Sequence, residues 1–433
     1  MELAGYEILD QPQQEHDKQI SQLFLLLLAS VASVFARTAL SPLQETIRTA
    51  LALSDNQMAL LQGPALAIAP VLAMVPIGML VDRYSRARLL LLFAVANVMA
   101  TIVSALAANF AVLFIARCLV GLSHTGTYVA AFSMVAELYP AEKRGRASMV
   151  LVVGQFGGMA AAFALGGLVL ADYQDTVNDW RATMLWLSLP LVVLTAALLR
   201  LREPSRSFQR TSEARPGHPV ISRLWKSASI VAPIITGCFL SEVVIGGALA
   251  WAAPVFSRNF RLPVDRLGAM MSAIVLLSGT IGSVAGGILS DLAQRRGGPP
   301  QTLATISLLV AASLPASLFP VVSNVDVAAG LLMLLITVIC AVVVMTVTAI
   351  TIVLPEDLRS TSLSLLVGLN TLFGVALAPL IVSFLSDKLG GVPDIGRALC
   401  VVCAGGAFLS TVSFLIAGST VKKRLRLSTS HAV

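Results

Sequence analysis

The chain has 433 residues, of which 57% are hydrophobic and only 12% charged. Soluble domains carry about 25% charged residues, and a globule in water cannot hide this much apolar surface, so a soluble enzyme or binding module is excluded. The formal net charge of +7 comes without a basic face interleaved with aromatics, which argues against a nucleic-acid partner.

The apolar residues arrive in runs of about 20, the length that crosses a bilayer as a helix. A membrane barrel would show short alternating segments instead. Residues 1–19 are polar and mostly acidic, with Lys18 their only Lys or Arg, so they lack the basic start of a cleavable signal. In chain order the spans are expected at 20–43, 57–80, 89–107, 110–137, 147–171, 181–199, 227–256, 266–290, 301–321, 327–354, 361–386 and 397–419.

Lys and Arg set the orientation. The termini and alternate connections, including Arg83, Arg86 and Arg88, Lys143 to Arg146, and 200–226, hold 21 of them. The opposite connections hold seven, and Arg37 and Arg117 lie within spans. The richer set is expected to be cytoplasmic, with both termini inside a cell inner (plasma) membrane. The segment 200–226, with Pro204, Pro216, Gly217 and Pro219 among alternating charges, reads as a cytoplasmic linker. It separates an N-terminal half, 1–199, from a C-terminal half, 227–433.

The halves look like repeats. A shift of 209 places Gly78-Met79-Leu80-Val81-Asp82 on Gly287-Ile288-Leu289-Ser290-Asp291 and Arg86 on Arg295. A shift of 215 places Pro140 to Arg144 on Pro355 to Arg359. This order suggests parallel repeats about an axis along the membrane normal.

The run Gly78 to Asp82, Arg83 and Arg86 resembles the signature of the major facilitator superfamily between its second and third spans. Further resemblance lies in Arg117 and Gly121 of the fourth span, Pro140 to Gly145, Trp180-Arg181, and Gly368, Asn370, Gly374 and Pro379. The fold this implies is all-α: twelve transmembrane helices as two pseudo-symmetric six-helix bundles. Phe35-Ala36-Arg37-Thr38, with Leu53-Ser54 before the second span, is most similar to the spinster-like and organic-anion branches. Ala36 stands where spinster-like members carry an acid, and His124 near where they carry a Glu. The resemblance implies a conformational latch of Gly78, Asp82, Arg83, Arg86, Asp291 and Arg295. Gly78 would allow close helix approach, and Asp82 would accept hydrogen bonds at a facing helix N-terminus. Glu137 is expected to join the latch through Arg144 or Arg146. Plain positive-inside anchoring is the alternative.

Charged residues near mid-membrane are costly and usually face a protein interior or a wet cavity. Arg117, Gly121, His124 and Tyr128 share a helical face, and Arg37 sits mid-way along the first span. Guanidinium groups bind carboxylate or phosphate bidentately, so Arg37, Arg117 and His124, with Gln155 and Asn370, are the substrate-binding candidates. Glu242, the one acid deep in the C-terminal half, is the proton-coupling candidate, with His124 beside it in that role. The alternatives are structural: a carbonyl-bonded Arg, a packing His, a permanently paired Glu.

The five cysteines all lie in apolar runs, and Cys400-x-x-Cys403 reads as packing. With no phosphate loop, HExxH or Cys/His cluster, no catalytic residue, metal or cofactor is expected. The reading is secondary active transport of a small or amphipathic organic anion by alternating access, coupled to protons, with lipids as neighbours and a monomer as the unit. Two alternatives stand beside it: a broad-specificity drug/proton efflux antiporter, and a non-transporting sensor or scaffold on the same fold.

Overall fold

The computed structural model describes residues 3–172, 179–203, 228–354 and 356–430, and the regular structure among them is all helical. Most of the expected linker, 204–226, lies outside the described residues. The helices are α1 (Leu3–Thr38), α2 (Gln44–Ala50), α3 (Asp55–Gln62), α4 (Pro64–Arg83), α5 (Arg86–Ala105), α6 (Phe110–Leu138), α7 (Ala141–Asp172) and α8 (Asp179–Ala197). They continue as α9 (Ala228–Phe260), α10 (Val264–Ala312), α11 (Val325–Val353), α12 (Glu356–Asn370), α13 (Ala378–Leu389) and α14 (Ile395–Ser430). A π-helical turn, Thr371–Leu377, joins α12 to α13.

Local sequence fixes several starts. Ser54 and Gln57 close a reciprocal capping box on α3, with Ser54 N donating to Gln57 Oε1 at 2.9 Å and Gln57 N to Ser54 Oγ at 3.2 Å. This satisfies two amides that a helix start leaves without partners. Asn109 caps α6 by accepting from Val112 N at 3.1 Å, and Asn324 does the same for α11. Pro70 and Pro76 lie inside α4, and each removes a backbone donor. The stretches Asp55–Ala73 and Pro76–Arg83 meet at 57°.

Among the described residues ten helices are long and apolar enough to cross a membrane, eleven with that bent pair taken as one span. The tally counts Val264–Leu318, 55 residues, once. At about 1.5 Å per residue this stretch is roughly 80 Å long, more than twice a ~30 Å hydrocarbon core. Its break is at Gly297 and Gly298, where Gly298 has φ 66° and ψ −156°, a conformation essentially reserved for glycine. Divided there, the described residues hold twelve candidate spans, the number expected from sequence. The helix α1 begins at Leu3, so the polar N-terminal residues continue the first span's helix instead of preceding it.

The chain forms two compact units. Unit 1 comprises 1–43 and 69–210; unit 2 comprises 44–68 and 211–433. These differ from the sequence halves in one segment: 44–68 clusters with the C-terminal helices, with α3 packed on α13 and α2 on α9.

In unit 1, α1 packs along α7 and α6, and α5 along α6 and α8. Its apolar core includes Leu26, Phe93, Ala130, Met134 and Leu151. Gly158 in the fifth span has a packing reason: a Cβ there would sit 2.3 Å from the Val31 carbonyl oxygen. The α7 backbone therefore lies directly on α1. In unit 2, α9 packs on α14 and α10 on α11. Trp251, fully buried, donates from Nε1 to the Pro379 carbonyl at 3.0 Å, fixing α9 to α13.

Candidate functional site

Unit 1 brings most of the expected basic residues together. The helix α6 presents Arg117 and His124 two turns apart, and both reach α1. Arg117 is 1% exposed, and its Nη2 donates to the Arg37 carbonyl at 2.8 Å. His124 Nδ1 lies 2.8 Å from Ser33 Oγ. Since Ser33 and Arg37 are one turn apart, two polar rungs tie antiparallel helices at mid-span. The half-buried Arg37 side chain lies close to both Arg117 and His124. Tyr128, 44% exposed, continues the α6 face and packs on Phe132 with ring centroids 4.4 Å apart. Gln155 is half-buried on α7 and makes no side-chain hydrogen bond with another described residue. Ser33 escaped sequence reasoning, although its spacing of four from Arg37 puts both on one face of α1.

Unit 2 holds Glu242 and Asn370 together. Asn370 Nδ2 donates to Glu242 Oε1 at 3.4 Å and approaches Cys238 Sγ at 3.8 Å. Asn370 Oδ1 is buried with no hydrogen-bond partner. Asn370 is the residue immediately before the π-helical turn, and Phe373 within that turn stacks on Phe239 of α9, centroids 4.5 Å apart. Asn370 thus touches the coupling candidate and belongs to unit 2, whereas the basic residues with which it was grouped belong to unit 1.

A second unit-2 cluster was not anticipated. Arg258, near the end of α9, forms a bidentate pair with Asp55 at 2.8 Å on each branch and reaches Glu45 at 2.7 Å. Arg48 lies 3.3 Å from Glu45 and 3.8 Å from Asp55. The Asp55 side chain is 3% exposed and the Arg258 side chain 13%. The sequence signal was Asp55 as the first residue after the Ser54 cap, with an Arg some 200 residues later and nothing to connect them.

The latch residues split into two groups. Arg86 pairs with Glu137 of α6. The expected partners of Glu137, Arg144 and Arg146, are not used: Arg144 Nε donates instead to the Tyr139 carbonyl at 2.9 Å, closing the α6 C-terminus. The reason is reach, because Arg86 begins α5 against the last turn of α6, whereas Arg144 follows a turn away from it. Glu203 then caps α5: it accepts from Ser85 Oγ at 2.7 Å, Ala87 N at 2.9 Å and Arg86 N at 3.1 Å. Burial works against its charge, but these donors and the Arg86 guanidinium outweigh it and hold its carboxyl below the usual Glu range. Asp82, Arg83, Asp291 and Arg295 are exposed and make no ion pair with another described residue. A Cβ on Gly78 or Gly287 would meet nothing within 4 Å.

No group of three or more metal-binding side chains occurs among the described residues. The model of the Major Facilitator Superfamily matches residues 26–379. The chain is 30% identical over 144 residues to the putative metabolite transport protein YncC of Bacillus subtilis, covering 32% of this chain and 30% of that protein. It is 24% identical over 241 residues to the probable 4-methylmuconolactone transporter of Cupriavidus pinatubonensis, covering 53% of each. The matches thus span about a third to a half of these relatives' length. Among solved structures, a bacterial homologue of the human lysosomal transporter spinster, described as inward-facing and unoccupied, has a TM-score of 0.72 at 21% identity, over 93% of this chain and 96% of that one. With the match covering most of its twelve spans, the chain is a multi-pass membrane protein belonging to the Major Facilitator Superfamily.

Proposed function

We propose that the protein is a secondary active transporter that moves a small or amphipathic organic anion by alternating access, coupled to protons. The observation that carries this is the cross-bracing of α1 and α6. The Ser33–His124 contact and the Arg117–Arg37 carbonyl bond gather two guanidiniums and an imidazole at mid-span. Positive charge concentrated among apolar helices attracts an anion, and a guanidinium matches carboxylate or phosphate geometry. In this reading Arg37 takes the anion, Arg117 holds the α1 backbone that carries it, and His124 and Gln155 add polar contacts. Glu242 carries the proton. Asp82, Arg83, Asp291 and Arg295 serve a latch, with Arg86 and Glu137 anchoring its N-terminal part. Both termini face the cytoplasm across an inner membrane, and a monomer suffices. Relatives named for metabolite and 4-methylmuconolactone transport support a small-molecule substrate.

A drug/proton antiporter is the second reading. The Phe239–Phe373 stack beside Glu242 favours it, because aromatic faces and a carboxylate together suit an organic cation.

The test uses proteoliposomes loaded with a pH-sensitive dye and challenged with organic anions, then with lipophilic cations. Proton movement with anions alone, abolished in Glu242→Gln and weakened in Arg37→Ala, is the expected result. Movement with cations alone would replace the anion reading with drug antiport. Labelled anion crossing with no proton movement would remove Glu242 as the carrier.

A further inference from the structure

In unit 1, α8 is followed by a 3-10 turn, Leu198–Arg200, and an extended residue, Leu201. Residues three apart eclipse in such a turn, so Leu198 and Leu201 point the same way. Both are buried in the unit 1 core with Leu89 and Leu90 of α5. That arrangement turns Leu199, Arg200 and Arg202 outward, and all three are exposed, Leu199 at 70%. The backbone here is pinned at three points. Leu201 N donates to the Leu198 carbonyl at 3.0 Å, Arg202 N donates to Gln22 Oε1 at 2.8 Å, and Glu203 caps α5 through Ser85, Arg86 and Ala87. The cap sets Arg202 beside the first turn of α5, where Arg88 is exposed. Three guanidiniums from two elements are thus gathered on fixed backbone, and none makes an ion pair with another described residue. The acids around them are already engaged or matched. Glu203 is held by its three donors, Glu137 pairs with Arg86, and Asp82 is followed by Arg83.

Below the arginines runs an apolar wall. From Arg88, steps of four, three and four along α5 reach Leu92, Val95 and Met99, all exposed on one helical face. The neighbouring α8 exposes Leu189 and Val193 before Leu199. One helical turn, roughly 6 Å, separates Arg88 from Leu92, and Arg200 follows Leu199 directly. Charge therefore gives way to apolar surface over the depth at which a phospholipid changes from headgroup to acyl chain. We infer that this end of unit 1 binds one anionic phospholipid, with its phosphate on Arg88, Arg200 and Arg202 and its acyl chains along α5 and α8. A guanidinium matches phosphate geometry, and each basic residue at a membrane surface strengthens the attraction to anionic lipid by about five-fold. Backbone pinned before the lipid arrives spares the cost of ordering the site. A soluble anion would meet the same three charges exposed and screened by salt, with no use for the wall beneath them. The site is independent of the anion and proton assignments made for the mid-span residues.

The test is native mass spectrometry of the full-length protein in a neutral detergent, titrated with phosphatidylglycerol and separately with phosphatidylcholine. One phosphatidylglycerol per chain should bind at concentrations where phosphatidylcholine is not retained. Arg88→Gln, Arg200→Gln and Arg202→Gln should each weaken it about five-fold, and the triple variant about 100-fold. Lys422→Gln with Lys423→Gln, which removes two exposed charges of α14 in unit 2, should leave the affinity unchanged. Equal affinity for the two lipids, or wild-type affinity in the triple variant, would overturn the inference. An equal loss in the α14 variant would do the same, by tracing the binding to diffuse surface charge. Glycerol phosphate, the water-soluble head alone, should not displace the lipid at matched concentration; displacement would replace the lipid with a soluble anion. Should the triple variant not be monodisperse, the three single variants decide, and unchanged affinity in all of them sinks the proposal.

Discussion

The two units treat intramembrane polarity in opposite ways. In unit 1 the buried guanidinium of Arg117 donates to a backbone carbonyl and His124 meets a serine hydroxyl, so the polar contacts cross from one helix to another. In unit 2 an acid is met by an amide whose own carbonyl is left unsatisfied, and a dense ion-pair cluster sits at the far end of α9. Unit 1 is braced by side chains crossing from α6 to α1. Unit 2 is braced by full charges at Arg258 and by bare backbone at Gly246 and Gly374.

The comparison breaks most visibly at Arg258. Truncation to Ala leaves the Asp55 carboxylate, 3% exposed, without its bidentate partner. Removing one member of a buried pair costs about 3–5 kcal/mol, and the part-exposure of Glu45 places the expected loss near the lower bound. Thermal unfolding in detergent should show a large drop for Arg258→Ala and a partial one for Arg258→Lys, which cannot form both branches. If unit 2 relied on backbone packing alone, the Tm would hardly move.

Next in size is Gly158→Ala in unit 1. Its Cβ would fall 2.3 Å from the Val31 carbonyl oxygen, and overpacking of this kind costs about 1–3 kcal/mol. The α1–α7 contact would open and shift Ser33, two residues beyond Val31. The check is a lowered Tm together with weakened anion-dependent proton movement. Ser33→Ala is smaller still. It deletes the hydroxyl facing His124 Nδ1 at 2.8 Å, and one hydrogen bond contributes about 1 kcal/mol net. The double variant Ser33→Ala with His124→Leu should lose less than the two single losses added, because the pair shares one interaction.

Most of this architecture was legible in the chain because a bilayer leaves few options: each apolar run of about 20 residues must be a helix. The span count was legible at α10 because the apolar run ends at 290 and resumes at 301, and the backbone breaks between them, at Gly298. The face of Arg117 and His124 was legible from helical spacing, but their partners were not, since Ser33 and a carbonyl have no signature across some 80–90 residues. The Arg258 cluster was illegible for the same reason. Its acids lie some 200 residues away in the connection before the second span, where charges read as solvated. The π turn has no motif of its own; Gly374 was visible, but its purpose depends on Gly246 lying opposite.

The smallest expected effect tests the basic-loop end of unit 1. Glu203 accepts from Ser85 Oγ and from the Ala87 and Arg86 amides, so its carboxylate sits on the positive end of the α5 dipole. Its carboxyl is held below the ordinary range despite partial burial, through those donors and the Arg86 charge. A depressed folded pKa means the ionised form is favoured by folding. The stabilisation is therefore fully present above the unfolded value, about 4.3 for Glu, and is lost as pH falls from there through the lower folded value. The Tm of Glu203→Gln should sit slightly below wild type at neutral pH, by less than about 1 kcal/mol in stability. The two curves should converge as the pH drops through the acidic range. Parallel curves down to the lowest pH would mean that the linker backbone, and not the carboxylate, holds the start of α5.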